Sequence, residues 1–246
     1  MNGEMKPIVA FTHDTSEQFW EKRKGQLERY HTATGPDGRL LYFPWGTKTY
    51  TDTSLDNMVR QWHSVEYVFK LMEFNAKQYG ISYSRVGMFR SDALYVTPID
   101  IASIDSQYDV MDTNNRYFVM APFALYPVND RSIYGPYDAV KVWATKRFEL
   151  IEERAKAQKD PGFTMHSERF LNASVFPAME RLGYELTINA DICFLRTRAD
   201  ESAIISDCSI GGTTRNWENM PNKIGVVEDI VGKKCTHFRM GFKWQF

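Results

Sequence analysis

Val86-Gly87-Met88-Phe89-Arg90-Ser91-Asp92 is a short apolar run that ends in a cation and then a carboxylate. In an α/β protein a residue just past such a strand lies where open sheets bind ligands. A carboxylate there can hold a divalent cation or the hydroxyls of a sugar, and Arg90 can neutralise a phosphate or pair locally. Hard cations usually take more than one carboxylate, and this triplet supplies one. Asn129-Asp130-Arg131, with Tyr134-Gly135 after it, is the second candidate. Asp130 reads as a ligand-facing acid with Arg131 as a substrate-binding cation, or else the triplet is an Asx-turn. His166-Ser167-Glu168-Arg169 is the third. With Ser167 as a helix cap, Glu168 falls in the first turn, where the helix dipole stabilises an anion. To act as a base, Glu168 would need its proton affinity raised by burial, against that dipole. The fourth runs from His237 to Lys243 around Gly241. It offers an imidazole to a metal and an ammonium to a diphosphate, or it is a terminal aromatic strand on the core. Trp45, Tyr42 and Tyr134 can stack on a sugar or a base.

The elements that must position these groups are legible in the hydrophobic spacing. Pro7 to Thr12 reads as a short buried strand. His13-Asp14 and Ser16 offer turn and cap chemistry for a helix from about Glu17 to Tyr30. Thr34-Gly35-Pro36-Asp37-Gly38 is a turn. Leu55, Met58, Val59, Trp62, Val65, Phe69, Met72, Ala76 and Tyr79 recur at three- and four-residue steps, which predicts a long helix capped by Ser54 and ended by Gly80. The strand leading to Asp92 follows, and another is expected at Tyr117 to Ala121. Asn129-Asp130-Arg131 and Tyr134-Gly135 fall in the loop after it. A helix from about Tyr137 to Gln158 buries Val140, Trp143, Ala144, Phe148 and Ile151. One near Ser167 buries Leu171, Val175, Ala178 and Leu182. One or two strands lie within Tyr184 to Arg196, and a further one at Ile224 to Val231. This alternation predicts one α/β domain over residues 1–246, with a central mixed sheet flanked by helices.

Composition removes several functional classes. With 30 basic and 31 acidic residues and a net charge of −1, no global field favours nucleic acid or an anionic membrane. No run of about 18 apolar residues is present, so no membrane span is expected. Cys193, Cys208 and Cys235 are far apart and odd in number, which points to a reducing compartment. With an N-terminus too short and polar for a secretion signal, the expected location is cytoplasmic. There is no G-x-S-x-G elbow, P-loop or G-x-G-x-x-G, and the five histidines are scattered.

The order of motifs resembles a known group. Arg60-Gln61-Trp62 in a helix leads into Tyr-x-x-Val-x-x-x-Arg-x-Asp at Tyr83 to Asp92; Asn-Asp-Arg, Gly135 and His-Ser-Glu-Arg-Phe-Leu at His166 to Leu171 follow. Over roughly residues 55 to 185 this is similar to a divergent family of GT-A-type glycosyltransferase domains of plants, algae and large viruses. The resemblance implies a Rossmann-like nucleotide-sugar fold, with Asp92 at the place of the usual metal-binding Asp-x-Asp motif and Arg90 where its first acid would stand. The His237 to Lys243 segment is similar to that of glycogenin-like transferases. Together these imply sugar transfer from a nucleotide-sugar donor to a glycan or other hydroxyl acceptor. Asp92 and His237 would hold Mn²⁺ or Mg²⁺, and Lys243 the diphosphate. Arg90 could serve the diphosphate directly, without an ion. Glu168 or Asp130 would be the base, and Arg131, Trp45 and Tyr134 would contact substrate. Asp14 or the loop Phe43 to Thr49 would complete the nucleotide site. A non-catalytic carbohydrate- or nucleotide-binding domain that has lost the metal site is the alternative.

Overall fold

In a computed structural model of the chain, the described residues are 10–43, 52–95, 99–101, 104, 116–121, 129–157, 165–189, 192, 194–197, 203–204 and 238–239. Trp45, His237, Lys243 and the expected strand at Ile224 to Val231 lie outside them. The architecture is mixed α/β, and the chain forms two compact units: Met1–Ser84 with Lys141–His166, and Arg85–Val140 with Ser167–Phe246.

The first unit is helical. Helix α1 (Ser16–Thr32) is started by Thr15 rather than by His13, Asp14 or Ser16. The Thr15 hydroxyl accepts from the Gln18 amide, 3.3 Å, and the Gln18 side chain accepts from the Thr15 amide, 2.9 Å. This reciprocal box satisfies two amides at once. Residues 10–12 form no strand, and Phe11 is 85% exposed, so nothing there is buried as a strand core would be. Helix α2 (Asp52–Tyr79) buries Leu55, Met58, Val59, Trp62, Phe69 and Ala76 of the spaced residues, whereas Val65 and Met72 are half-buried and Tyr79, at the helix end, is exposed. It begins before Ser54, which therefore sits inside the first turn. Gly80, at φ +65°, ends it in the left-handed conformation that costs glycine least.

The helix expected over Tyr137 to Gln158 is two helices, α3 (Tyr137–Thr145) and α4 (Arg147–Ala157). Arg147 Nε donates to the Trp143 carbonyl, 2.9 Å, the acceptor that an unbroken helix reserves for the Arg147 amide. A side chain inserted there bends the helix. Tyr42, a candidate stacking residue, is a core residue instead. Its ring stacks on Tyr30 with centroids 4.3 Å apart, and its hydroxyl donates to Glu152, 2.6 Å.

The second unit is built on a four-stranded mixed sheet in the order β1-β4-β3-β5. Its strands are β1 (Arg85–Phe89), β3 (Tyr117–Met120), β4 (Ser132–Pro136) and β5 (Glu185–Ile188). Strand β4 was not foreseen: the sequence reads there as loop, yet Ser132 to Pro136 are all buried in the sheet centre. Gly135 makes this possible. A Cβ at that position would lie 2.7 Å from Phe118 Cβ and 2.8 Å from its Cα, inside any tolerable contact. A second sheet, β2-β6-β7-β8, joins β2 (Ala93–Tyr95), β6 (Phe194–Thr197), β7 (Ala203–Ile204) and β8 (Phe238–Arg239). Val119, Ala121 and Tyr134 form one buried cluster with Ile104, Ile192 and Phe194, and Tyr95 packs against it.

The helical stretch from Ser167 runs through α5 (Ser167–Phe170), a π-turn (Leu171–Val175) and α6 (Phe176–Glu180). Phe176 meets Phe118 of β3 with ring centroids 5.6 Å apart. Leu171 and Val175 are buried as expected, whereas Leu182 lies past the helix end and is 59% exposed.

Candidate functional site at the strand ends

The register of the main sheet gathers the sequence candidates. Strands β1 and β3 both run antiparallel to β4, and β5 runs parallel to β3. The carboxyl ends of β1, β3 and β5 therefore share one edge with the amino end of β4, the side on which open α/β sheets place ligands. Phe89, last of β1, pairs with Ser132, first of β4. The Arg90 amide donates to the Arg131 carbonyl, 2.9 Å, and carries the pairing one residue further. Asp92 follows in the tight turn to β2.

Five charged side chains and a hydroxyl meet at this edge. Arg90 grips both oxygens of Asp92, with Nε 2.7 Å from Oδ1 and Nη2 2.5 Å from Oδ2. Arg90 Nη1 lies 3.3 Å from Asp130 Oδ1. Arg131 Nη1 lies 2.8 Å from that same oxygen and 2.6 Å from Glu168 Oε1. Ser167 donates from Oγ to Asp130 Oδ2, 2.8 Å, so its hydroxyl serves the acid rather than capping the helix. Among the described residues, two guanidiniums thus face three carboxylates.

Burial grades along this chain of charges. Asp130, Arg131 and Glu168 are 3%, 7% and 8% exposed, while the Asp92 side chain keeps 48% of its surface. Burial pushes the Asp92 carboxyl up, but the hydrogen bonds and charge of Arg90 outweigh it and hold the group below its ordinary value. Burial likewise pulls Arg90 down, and its bonds to Asp92 and the charge of Asp130 more than restore it. Asp92 and Arg90 are therefore both ionised at neutral pH.

The backbone of the site is fixed from behind. Asn129 Nδ2 donates to the Ala121 carbonyl, 2.5 Å, and Asn129 Oδ1 accepts from the Arg131 amide, 2.9 Å. The Asx-turn reading thus holds for Asn129, which leaves Asp130 to the charge network. The Tyr95 hydroxyl donates to the Arg131 carbonyl, 3.1 Å. Burial pushes that phenol up to about 12, so it remains a donor. Neither Asn129, as an anchor, nor Tyr95 was singled out for this site by the sequence. The Asn-x-Arg spacing was the available signal for the first, and nothing local marks the second.

Tyr134, expected to stack on substrate, is a core residue. Its ring belongs to the buried cluster, with the Arg85 guanidinium 4.8 Å from its centroid, because β4 is central and turns this position inward. It has no open face for stacking on a sugar. Asp92, Arg90, Asp130, Arg131 and Glu168 are brought together. Asp14, by contrast, is bound in the first unit, with Oδ1 2.7 Å from Lys22 and Oδ2 2.6 Å from His63.

A divalent ion at Asp92 would have to displace Arg90 from both carboxylate oxygens, so this donor set fits a guanidinium better than a metal. Among the described residues no group of three or more His, Cys, Asp or Glu is arranged to hold an ion. Among them, too, no helix is long and apolar enough to cross a membrane. Comparison with family models, with curated proteins and with solved structures gave no match to this chain.

Proposed function

We propose that the strand-end edge is the sugar-handling site of a GT-A-like glycosyltransferase domain, acting on a nucleotide-sugar donor and a hydroxyl acceptor. The observation that carries this reading is the meeting of Arg90, Asp92, Asp130, Arg131 and Glu168 at one sheet edge, drawn from three separated segments. Asp92, ionised and half-exposed, accepts hydrogen bonds from sugar hydroxyls. In this reading Arg90 supplies the cation that a departing diphosphate needs, and electrostatic stabilisation of that leaving group is the main catalytic demand. In the reaction the acceptor oxygen bonds to the anomeric carbon, the bond from that carbon to the diphosphate oxygen breaks, and the acceptor proton passes to a carboxylate. Glu168 or Asp130 takes it. A positioned base is worth about 10²–10⁴ in rate. Because Arg90 occupies Asp92, the charge on the leaving group is met by arginine in this scheme.

A second reading, a non-catalytic carbohydrate-binding domain, is favoured by one observation. Arg131 lies on both candidate bases, so their oxygens are engaged with a cation rather than turned to an acceptor. Incubating the full chain with uridine and guanosine diphosphate sugars separates the readings. Slow release of nucleoside diphosphate, abolished by Asp92→Asn with an unchanged melting curve, supports the transferase. Saturable binding of a sugar without release supports the binding domain. Neither binding nor release overturns both.

A further inference from the structure

Helix α2 has a second face that the core does not use. Arg60, His63, Ser64, Tyr67 and Val68 follow one another at three- and one-residue steps, so they share one side of the helix. That side and the segment from Thr12 to Phe19 enclose a cleft of about 310 Å³. This is the lower end of the range for small-molecule sites.

Among the described residues lining the cleft, the acid is paired and the arginine is not. Among the described residues Asp14 is its one carboxylate, and both oxygens are taken, by Lys22 at 2.7 Å and His63 at 2.6 Å. His63 is taken as well. Arg23 Nε, which can only donate, lies 3.1 Å from Nδ1, so Nδ1 is the acceptor and Nε2 carries the proton toward Asp14. Arg23 and Lys70 are answered by Glu66, at 2.5 Å each. Arg60 is different. Its guanidinium lies over the Phe19 ring, 4.5 Å from the centroid, and near Trp20, 5.6 Å. Among the described residues it has no hydrogen-bond or ion-pair partner. Stacking uses the faces of the guanidinium and leaves its in-plane N–H fork for a two-oxygen acceptor.

Apolar surface lies beside this donor. Tyr67 and Val68 both line the cleft and are 37% and 52% exposed. The Tyr67 ring stacks on His63 at 5.7 Å and 16° and has the Lys22 ammonium 4.6 Å from its centroid, so its exposed edge is the part open to the cleft. Ser16 adds a hydroxyl at the opposite wall.

We propose that this cleft is a binding site for a small organic oxyanion, a carboxylate or a phosphate monoester carrying one flat or apolar group. Arg60 takes the oxygens in its fork, and Tyr67 and Val68 cover the apolar group. The site lies wholly within the first unit and is independent of the function assigned to the strand-end edge.

Titration of the full chain with benzoate, phenyl phosphate and benzyl alcohol, followed by calorimetry or NMR, tests the assignment. At least one anion binds saturably in the millimolar range or tighter, and the neutral alcohol binds at least about tenfold more weakly. The stronger of the two anions distinguishes a carboxylate from a phosphate ligand. Arg60→Gln weakens the preferred anion by about tenfold or more, the loss of a charge-assisted pair. Because Arg60 also packs on two rings, Val68→Trp is the companion variant: it fills the cleft from an exposed position and abolishes binding with the melting curve unchanged. Absence of saturable binding by both anions, equal binding of the alcohol, or undiminished binding in both variants overturns the proposal.

Discussion

Arg131 and Glu168 are 37 residues apart in the chain, and their side chains meet at 2.6 Å with both residues buried. The same guanidinium nitrogen also holds Asp130 at 2.8 Å. A buried ion pair adds little over an apolar pair of the same shape, but removing one member leaves a charge without its partner.

Arg131→Met is therefore expected to destabilise the fold by about 3–5 kcal/mol. Urea unfolding measures this. Adding Glu168→Gln to that variant should recover part of the loss, since the charge that Arg131 answered goes with it, while Asp130 keeps Arg90 and Ser167. A single-variant loss below about 1 kcal/mol would place these carboxylates in contact with water.

The Arg90–Asp92 pair should behave in the opposite way. Asp92 is half-exposed, so solvent screens the pair and its worth is no more than about 1 kcal/mol. Its folded carboxyl sits below the ordinary value of 3.8. The stabilisation is thus complete above that value and lost as pH falls through the lower folded one. Stability curves for the wild type and Asp92→Asn should run parallel near neutrality and converge only below about pH 4. Convergence already near neutral pH would show that Arg90 does not hold the carboxylate down.

Two glycines should respond to alanine with opposite signs. Gly135→Ala forces a methyl group against the Phe118 backbone and side chain, and overpacking of this kind costs about 1–3 kcal/mol. Gly25 lies within α1 with nothing within 4 Å of a built Cβ. There alanine should stabilise by about 0.5–1 kcal/mol through helix propensity and reduced freedom of the unfolded chain. Thermal melts of the two variants check both signs.

His63 should be the Nε2–H tautomer. Arg23 forces Nδ1 to accept, and Asp14 takes the proton on Nε2. Nitrogen chemical shifts of the imidazole read this directly, and Arg23→Met should leave the Nε2–H form in place, because the Asp14 carboxylate still accepts from it. A predominantly Nδ1–H ring in the wild type would break the donor assignment.

The sequence by itself was enough for α2, because its apolar residues recur at helical spacing over many turns and Gly80 stands at its end. It was also enough to mark Arg90, Asp92, Asp130, Arg131 and Glu168, since charges next to apolar runs stand out locally. It did not reveal β4. Ser-Ile-Tyr-Gly-Pro has no alternation, and its burial comes from two neighbouring strands that are distant in the chain. For the same reason Tyr134 reads as a ring available for stacking and proves to be core. The break between α3 and α4 was hidden in a side chain that bonds back to a carbonyl.

Periodicity and residue chemistry are properties of neighbours along the chain, and they fixed the long helix and the charged candidates. Which charge faces which was decided only when the antiparallel register of β1 and β4 brought the end of one strand to the start of the other. Burial then set the partners, because a carboxylate removed from water must find a cation within hydrogen-bond reach.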